Sequence, residues 1–90
     1  MEKIIITVVG KDTVGIIAKI CTYLADVNIN VLDISQTILK GYFNMVMIAD
    51  REGSSVDFSK CQEDLEKLGE TIGVQIKCQK EEIFEMMHRI

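Results

Sequence analysis

Residues 3 to 9 carry apolar side chains on both faces of an extended chain, Ile5 and Val9 on one side and Ile4, Ile6 and Val8 on the other. A strand covered on both sides belongs in the middle of a sheet. From about residue 14 to 27 the period changes. Ile17, Ile20, Cys21 and Leu24 recur at helical spacing, with Ile16, Tyr23 and Val27 widening the apolar arc and Lys19, Thr22 and Asp26 forming a narrow polar stripe. An arc that wide needs a second contact besides the sheet, with another helix or with a neighbouring subunit. Residues 30 to 39 alternate, with Leu32, Ile34 and Ile38 on one side and Asp33, Ser35 and Thr37 on the other, which predicts a half-wet edge strand. Lys40-Gly41 makes a tight turn into a strand over 42–50, antiparallel to the one before. That strand has two apolar faces, Phe43, Met45, Met47 and Ala49 against Val46 and Ile48, and takes a central place beside the first.

After a polar loop over 50–56, Asp57 is placed to cap a helix carrying Phe58, Cys61, Leu65, Leu68 and Ile72, and Gly73 to end it. Val74, Ile76 and Cys78 then alternate with Gln75, Lys77 and Gln79 as a second edge strand. Ile83, Phe84, Met86, Met87 and Ile90 read as a short terminal helix. The order predicts an α+β chain, a ferredoxin-like βαββαβ sandwich: a four-stranded antiparallel sheet with two helices on one face and an extra C-terminal helix. Residues 1–80 form the domain and 81–90 a helical extension. Two helices on one face leave the other bare, a larger apolar patch than a monomer usually tolerates. The terminal helix is expected to cover it, in its own subunit or in a partner, the alternative being a frayed tail.

Ninety residues suffice for one domain, which buries only about 60–65% of the surface its unfolded chain exposes, so pairing with a second copy helps. The formal charge of −4 and a pI near 4.9 exclude a basic nucleic-acid groove. The N-terminal apolar run is short and followed by Lys11 and Asp12, so no membrane span or secretory signal is expected, and the chain reads as cytoplasmic. Cys21, Cys61 and Cys78 lack a Cys-x-x-Cys spacing and fall on apolar stripes, where they read as reduced core residues. No metal site, cofactor or catalytic set is expected. The sole histidine, His88, has no nucleophile at a useful spacing, and the acidic groups Glu63, Asp64, Glu66 and Glu81, Glu82, Glu85 read as solvated charges. Other uses of the fold fit poorly. An RNA binder needs exposed aromatics among basic residues on the central strands, a heavy-metal carrier a cysteine pair in the first loop, and an acylphosphatase-like enzyme an arginine there, whereas the first arginine is Arg51.

The candidate chemistry lies at the turn Gly10-Lys11-Asp12-Thr13-Val14-Gly15 between the first strand and first helix. Asp12 or Thr13 is placed to cap the helix, and Gly15 leaves room for another group to approach the backbone. Unpaired first-turn amides and the positive helix end suit a carboxylate or phosphate. A capped strand-to-helix turn with no ligand is the plainer alternative.

Gly10 through Ile20, followed by Leu24 and Asn28-Ile29-Asn30-Val31, resembles the opening half of an ACT domain, and the likeness extends from about Ile4 to Cys78. It is closest to small stand-alone ACT proteins and to one half of the glycine-cleavage repressor type. In that family the turn after the first strand and the start of the second form a small-molecule site, usually for an amino acid, where two domains meet. The resemblance thus implies a ligand site of Asp12, Thr13, Val14, Gly15, Ile16 and Asn30. The amides of Val14, Gly15 and Ile16 would hold a carboxylate, and Asp12 and Asn30 an ammonium or a polar side chain. Asp12 stands where members carry asparagine; a carboxylate there repels an acidic ligand, so aspartate and glutamate are poorer candidates. For Asn30 a role as a turn residue before the strand stays open, and for Asn28 one as a helix C-terminal residue. The resemblance implies a non-catalytic regulatory module, homodimeric, sensing an amino acid and acting on a regulated enzyme or regulator protein. Two alternatives remain: an interaction protein using the ACT surface without a metabolite, and a subunit of an enzyme whose catalytic chain is separate. Copies would join edge to edge through the second strand or face to face across the open side.

Overall fold

The computed structural model describes residues 1–87, with side chains through Phe84. The elements are β1 (Lys3–Lys11), α1 (Ile16–Asp26), β2 (Asn30–Leu39), β3 (Tyr42–Asp50), α2 (Phe58–Ile72), β4 (Val74–Lys80) and α3 (Glu81–Met87). One antiparallel sheet has the order β2-β3-β1-β4, so the two strands apolar on both faces are the inner ones. This is the ferredoxin-like arrangement with a short C-terminal helix.

The core lies between α1, α2 and one sheet face. Ile4, Ile6 and Val8 of β1, Met45, Met47 and Ala49 of β3, and Ile76 and Cys78 of β4 meet Ile16, Ile20 and Leu24 of α1 and Cys61 and Leu65 of α2. The wide apolar arc of α1 is explained by α2. Cys21, Tyr23 and Val27 pack against the same core, and the Tyr23 hydroxyl donates to Asp64 of α2 at 2.8 Å. Close approach on the β4 side depends on glycines. A Cβ on Gly69 of α2 would stand 2.6 Å from the Val74 carbonyl oxygen, and one on Gly10 of β1 would stand 2.7 Å from the Val74 side chain.

Local chemistry sets the boundaries. Asp57 is in extended conformation and accepts from the Lys60 amide at 2.8 Å, the N-cap expected for α2, and Gly73 ends that helix at φ +90°. Asn28 ends α1 at φ +61° and ties the β3–α2 loop to this end of the helix by donating from its side chain to the Gly53 carbonyl at 3.0 Å. Lys40 and Gly41 both have positive φ, the geometry of a two-residue hairpin turn that follows the strand twist.

Two features of the strands differ from the sequence reading. β1 runs on to Lys11, because Gly10 and Lys11 still pair with Phe43 and Tyr42. In β2 the register shifts between Val31 and Asp33, so Leu32 drops out of the simple alternation, while Ile34 and Ile38 stand opposite core residues Met47 and Phe43. A bulge of this kind adds one residue on one strand and bends it.

On the opposite sheet face Ile5 is buried, whereas Val9 and Val46 are exposed. α3 contacts β1 and β4 of its own chain, the strands at the Ile5 end, and Lys3 reaches Glu81 at 3.9 Å. His88 and Ile90, assigned to this helix from the sequence, lie outside the described residues. Among the described residues no helix is long and apolar enough to cross a membrane.

Candidate functional site

The turn from Asp12 to Ile16 is held at its base by β1 and by the β2–β3 hairpin. The Asp12 amide donates to the Gly41 carbonyl at 2.8 Å, which fastens the start of the turn to the hairpin tip. Gly41, read from the sequence only as a turn residue, is therefore a support of the site loop; its signal was the tight Lys40-Gly41 connection.

The capping expectation is corrected here. Neither Asp12 nor Thr13 caps α1; the N-cap is Gly15, at φ +88° and ψ 7°, and no side chain hydrogen-bonds to the first turn. The reason is geometric. The hairpin draws Asp12 back toward Gly41, and the left-handed Gly15 then turns the chain abruptly into the helix. The Gly15 carbonyl still accepts the Lys19 amide at 3.0 Å, so the helix starts at once. Its leading amides thus carry no side-chain cap, in the orientation that favours an anion. Lys19 lies beside the turn, its Cε 3.7 Å from the place a Gly15 Cβ would occupy.

Asp12, Thr13 and Val14 are exposed, Val14 at 95%, while Ile16 is buried as the anchor of α1. The structure brings Asp12, Thr13, Val14, Gly15 and Ile16 together at one end of the sheet. Asn30 stands at the other end. It pairs with Asp50, which pairs with Lys3 at the start of β1, while the turn follows Lys11 at its finish. Nine strand residues separate the two ends by about 27 Å. A ligand on the Gly15 turn cannot touch Asn30 of the same chain. The turn alone is an exposed shelf.

β2 is the edge that could supply the missing wall. All of its ten residues except Val31 are exposed, and among them are Leu32, Ile34, Ile38 and Leu39. The other edge is different: β4 is packed along α2, and the Gln62 side chain takes the Cys78 carbonyl at 2.8 Å. A groove of about 730 Å³ runs there, lined by Gln62, Glu66, Glu70, Gln75 and Lys77 among others, far from the turn in sequence and in elements.

Electrostatic perturbation is concentrated away from the shelf. Backbone amides of Glu52 and Glu2 hold the Asp50 carboxyl below the ordinary carboxylate range. Hydrogen bonds from Tyr23 and Lys60 do the same for Asp64, while burial and the Asp64 hydrogen bond push the Tyr23 phenol up. None of these groups stands beside a nucleophile exposed in a cleft. Among the described residues no His, Cys, Asp and Glu side chains gather into a group able to hold a metal ion.

Comparison with known proteins agrees with this architecture. The family model described as the ACT domain matches residues 2–79, leaving α3 outside it. A UPF0237 protein of Bifidobacterium longum is 63% identical over 90 residues, covering all of both chains, and one of Methanocaldococcus jannaschii is 47% identical over the same span. The structure of an ACT domain protein from Streptococcus pneumoniae superposes with a TM-score of 0.81 at 40% identity, covering 93% of this chain and 94% of that one. The family-model match over residues 2–79 and the likeness to a solved ACT domain protein across nearly the whole length place the chain in the ACT domain family.

Proposed function

We propose that this protein is a non-catalytic regulatory module that binds a small carboxylate-bearing ligand, an amino acid by its chemistry, between two copies joined along β2. The observation that carries the reading is the separation within one chain between the uncapped Gly15 turn and Asn30, together with a ten-residue exposed edge that can bridge it. If β2 pairs with β2 of a second copy in antiparallel fashion about its middle, the Asn30 end of one strand lies beside the Leu39 end of the other. Leu39 leads directly into Lys40-Gly41, to which Asp12 is fastened. The partner's Asn30 then faces the Asp12–Ile16 turn, and two equivalent sites form across the dyad. The pairing also covers Ile34 and Ile38 and gives partners to the unpaired backbone groups of the edge.

In such a site the amides at Val14, Gly15 and Ile16 receive the ligand carboxylate and Asp12 its ammonium, with Asn30 contributing a donor and an acceptor to the remaining polar group. Ligand binding would then tighten the β2 contact, and that change is what a regulated enzyme or regulator protein could read.

A thermal-shift screen of the twenty amino acids, combined with sedimentation to fix the oligomer, tests this. A ligand at about a hundred times its Kd stabilises the folded state by about 2.7 kcal/mol, a readily measured rise in Tm. One or a few neutral amino acids are expected to raise Tm and to strengthen the dimer. A protein that is dimeric yet shifted by none of the twenty at millimolar levels would be an interaction module that uses the same surface without a metabolite.

A further inference from the structure

α1 has two charged side chains, Asp26 at its far end and Lys19 one turn from its start. Side chains of a helix lean toward its N-terminus. Lys19 follows that rule, and its Cε stands 3.7 Å from the place a Gly15 Cβ would occupy. Among the described residues no other side chain beyond the chain neighbours comes within 4 Å of that point. The stem therefore folds back across bare backbone, and the ammonium, one bond beyond Cε, is held beside the uncapped first turn.

Lys19 is not spent on an internal ion pair. Among the described residues those pairs engage the N-terminal amine, Lys3, Arg51, Lys60 and Lys67, and Lys80 lies over the Phe58 ring. Two further lysines stand on the other side of the turn. Lys11 ends β1 opposite Tyr42, and Lys40 precedes Gly41, whose carbonyl takes the Asp12 amide. In a chain of net charge −4, three lysines thus surround Asp12, the one acid of the turn. Lys11 and Lys40 belong to the hairpin side with Asp12; of the three, only Lys19 is on the element whose amides are uncapped. Opposite charges therefore bracket the turn, Asp12 where the strand ends and Lys19 where the helix begins. A free amino acid is the matching zwitterion.

We infer that Lys19 is the counter-ion of the ligand carboxylate and makes the site selective for free amino acids over their amides. This rests on the ligand-binding reading given above and adds a residue and a chemical restriction to it. The Lys19 ammonium donates to one carboxylate oxygen while the turn amides donate to the other. A carboxamide carries no negative charge and sets its own NH2 against these donors. A fully exposed pair is weakened by water and salt. In the paired arrangement the partner's Asn30 end faces the turn and excludes part of that solvent.

The test is titration calorimetry on the intact chain, with the twenty free amino acids and their α-carboxamides as probes. The free amino acid that binds the wild type is expected to bind K19M about ten- to a hundredfold more weakly, the worth of a hydrogen bond to a charged group. K19R should restore it to within about threefold, and K11M and K40M should cost less than about threefold, as distant screened charges do. The carboxamide should bind the wild type at least about tenfold more weakly than the acid. Binding by K19M within about threefold of wild type, an equal loss in K11M, or a carboxamide bound as tightly as its acid overturns the inference and leaves the ligand site standing. A wild-type chain that binds none of the probes removes the site itself, and the inference with it. Lys19 is exposed, so K19M is expected to fold, which circular dichroism checks. If it does not, the comparison of acid with carboxamide on the wild-type chain decides.

Discussion

Gly69→Ala is a substitution whose sign the structure decides. In an exposed helix position alanine is better than glycine by about 0.8–1.0 kcal/mol, so helix propensity alone makes this change stabilising. Gly69, however, is buried against β4. The new Cβ would stand 2.6 Å from the Val74 carbonyl oxygen, 3.1 Å from Ile76 Cγ1 and 3.3 Å from the Ile76 amide nitrogen. Two of the three are backbone atoms in the sheet, which cannot rotate aside, so α2 must lift or slide along its whole contact with β4. Overpacking of this kind costs about 1–3 kcal/mol, and the proximity of backbone puts Gly69 at the upper end. After subtracting the propensity gain, a net loss of about 1–2 kcal/mol remains, and each kcal/mol lowers Tm by about 4–8 °C in a domain of this size. Urea unfolding followed by circular dichroism measures it as a lower midpoint with an unchanged m value. A G69A variant as stable as the wild type, or more stable, would refute the close α2–β4 packing.

Asp57→Ala removes the side chain that accepts the Lys60 amide and is expected to cost about 1 kcal/mol in the same urea assay, while Asp57→Asn or Asp57→Ser retains most of the stability. Tyr23→Phe deletes the 2.8 Å bond to Asp64, so NMR titration of Asp64 is expected to show its pKa moving up toward the ordinary carboxylate value. Asp50, Glu63 and Asp64 all have folded-state pKa values below their unfolded ones; their stabilisation is therefore fully present above about pH 5 and lost as pH falls through the depressed values. Melting temperature should accordingly drop on acidification below about pH 5, and D50N should flatten that drop, since an amide keeps acceptor capacity for the Glu2 and Glu52 amides without titrating.

Much of the fold was legible because its local signals agree. Ile4 to Val9 and Phe43 to Ala49 are apolar on both faces, which forces them to the centre, and Asp57 and Gly73 bracket a helix with one apolar stripe. What the sequence hid were facts about relative position. Asp12 and Thr13 are good capping residues by type, yet the Gly41 carbonyl takes the Asp12 amide and Gly15 becomes the N-cap, an outcome set by the length of β1–β3 pairing. The bulge at Val31–Asp33 has no glycine or proline to announce it. Gly69 reads along the chain as a weak helix residue, and only the Val74 carbonyl beneath it gives the reason for its size. The candidate site shows the same division. The turn residues were found by their order, but nothing in their spacing says that Asn30 lies a full strand length away.

The central claim, that each site takes its turn from one copy and its Asn30 from the other, is tested most directly by mixing two disabled chains. Gly15→Val breaks the left-handed turn and Asn30→Ala removes the facing amide; each homodimer should lose binding of the amino acid that stabilises the wild type, as read by calorimetry. Refolded together in equal amounts, about half the dimers are mixed and each of those holds one intact site, so about one quarter of the wild-type binding capacity should return. If the mixture binds no more than the two variants apart, or if the Asn30→Ala dimer binds as well as the wild type, the shared site does not exist.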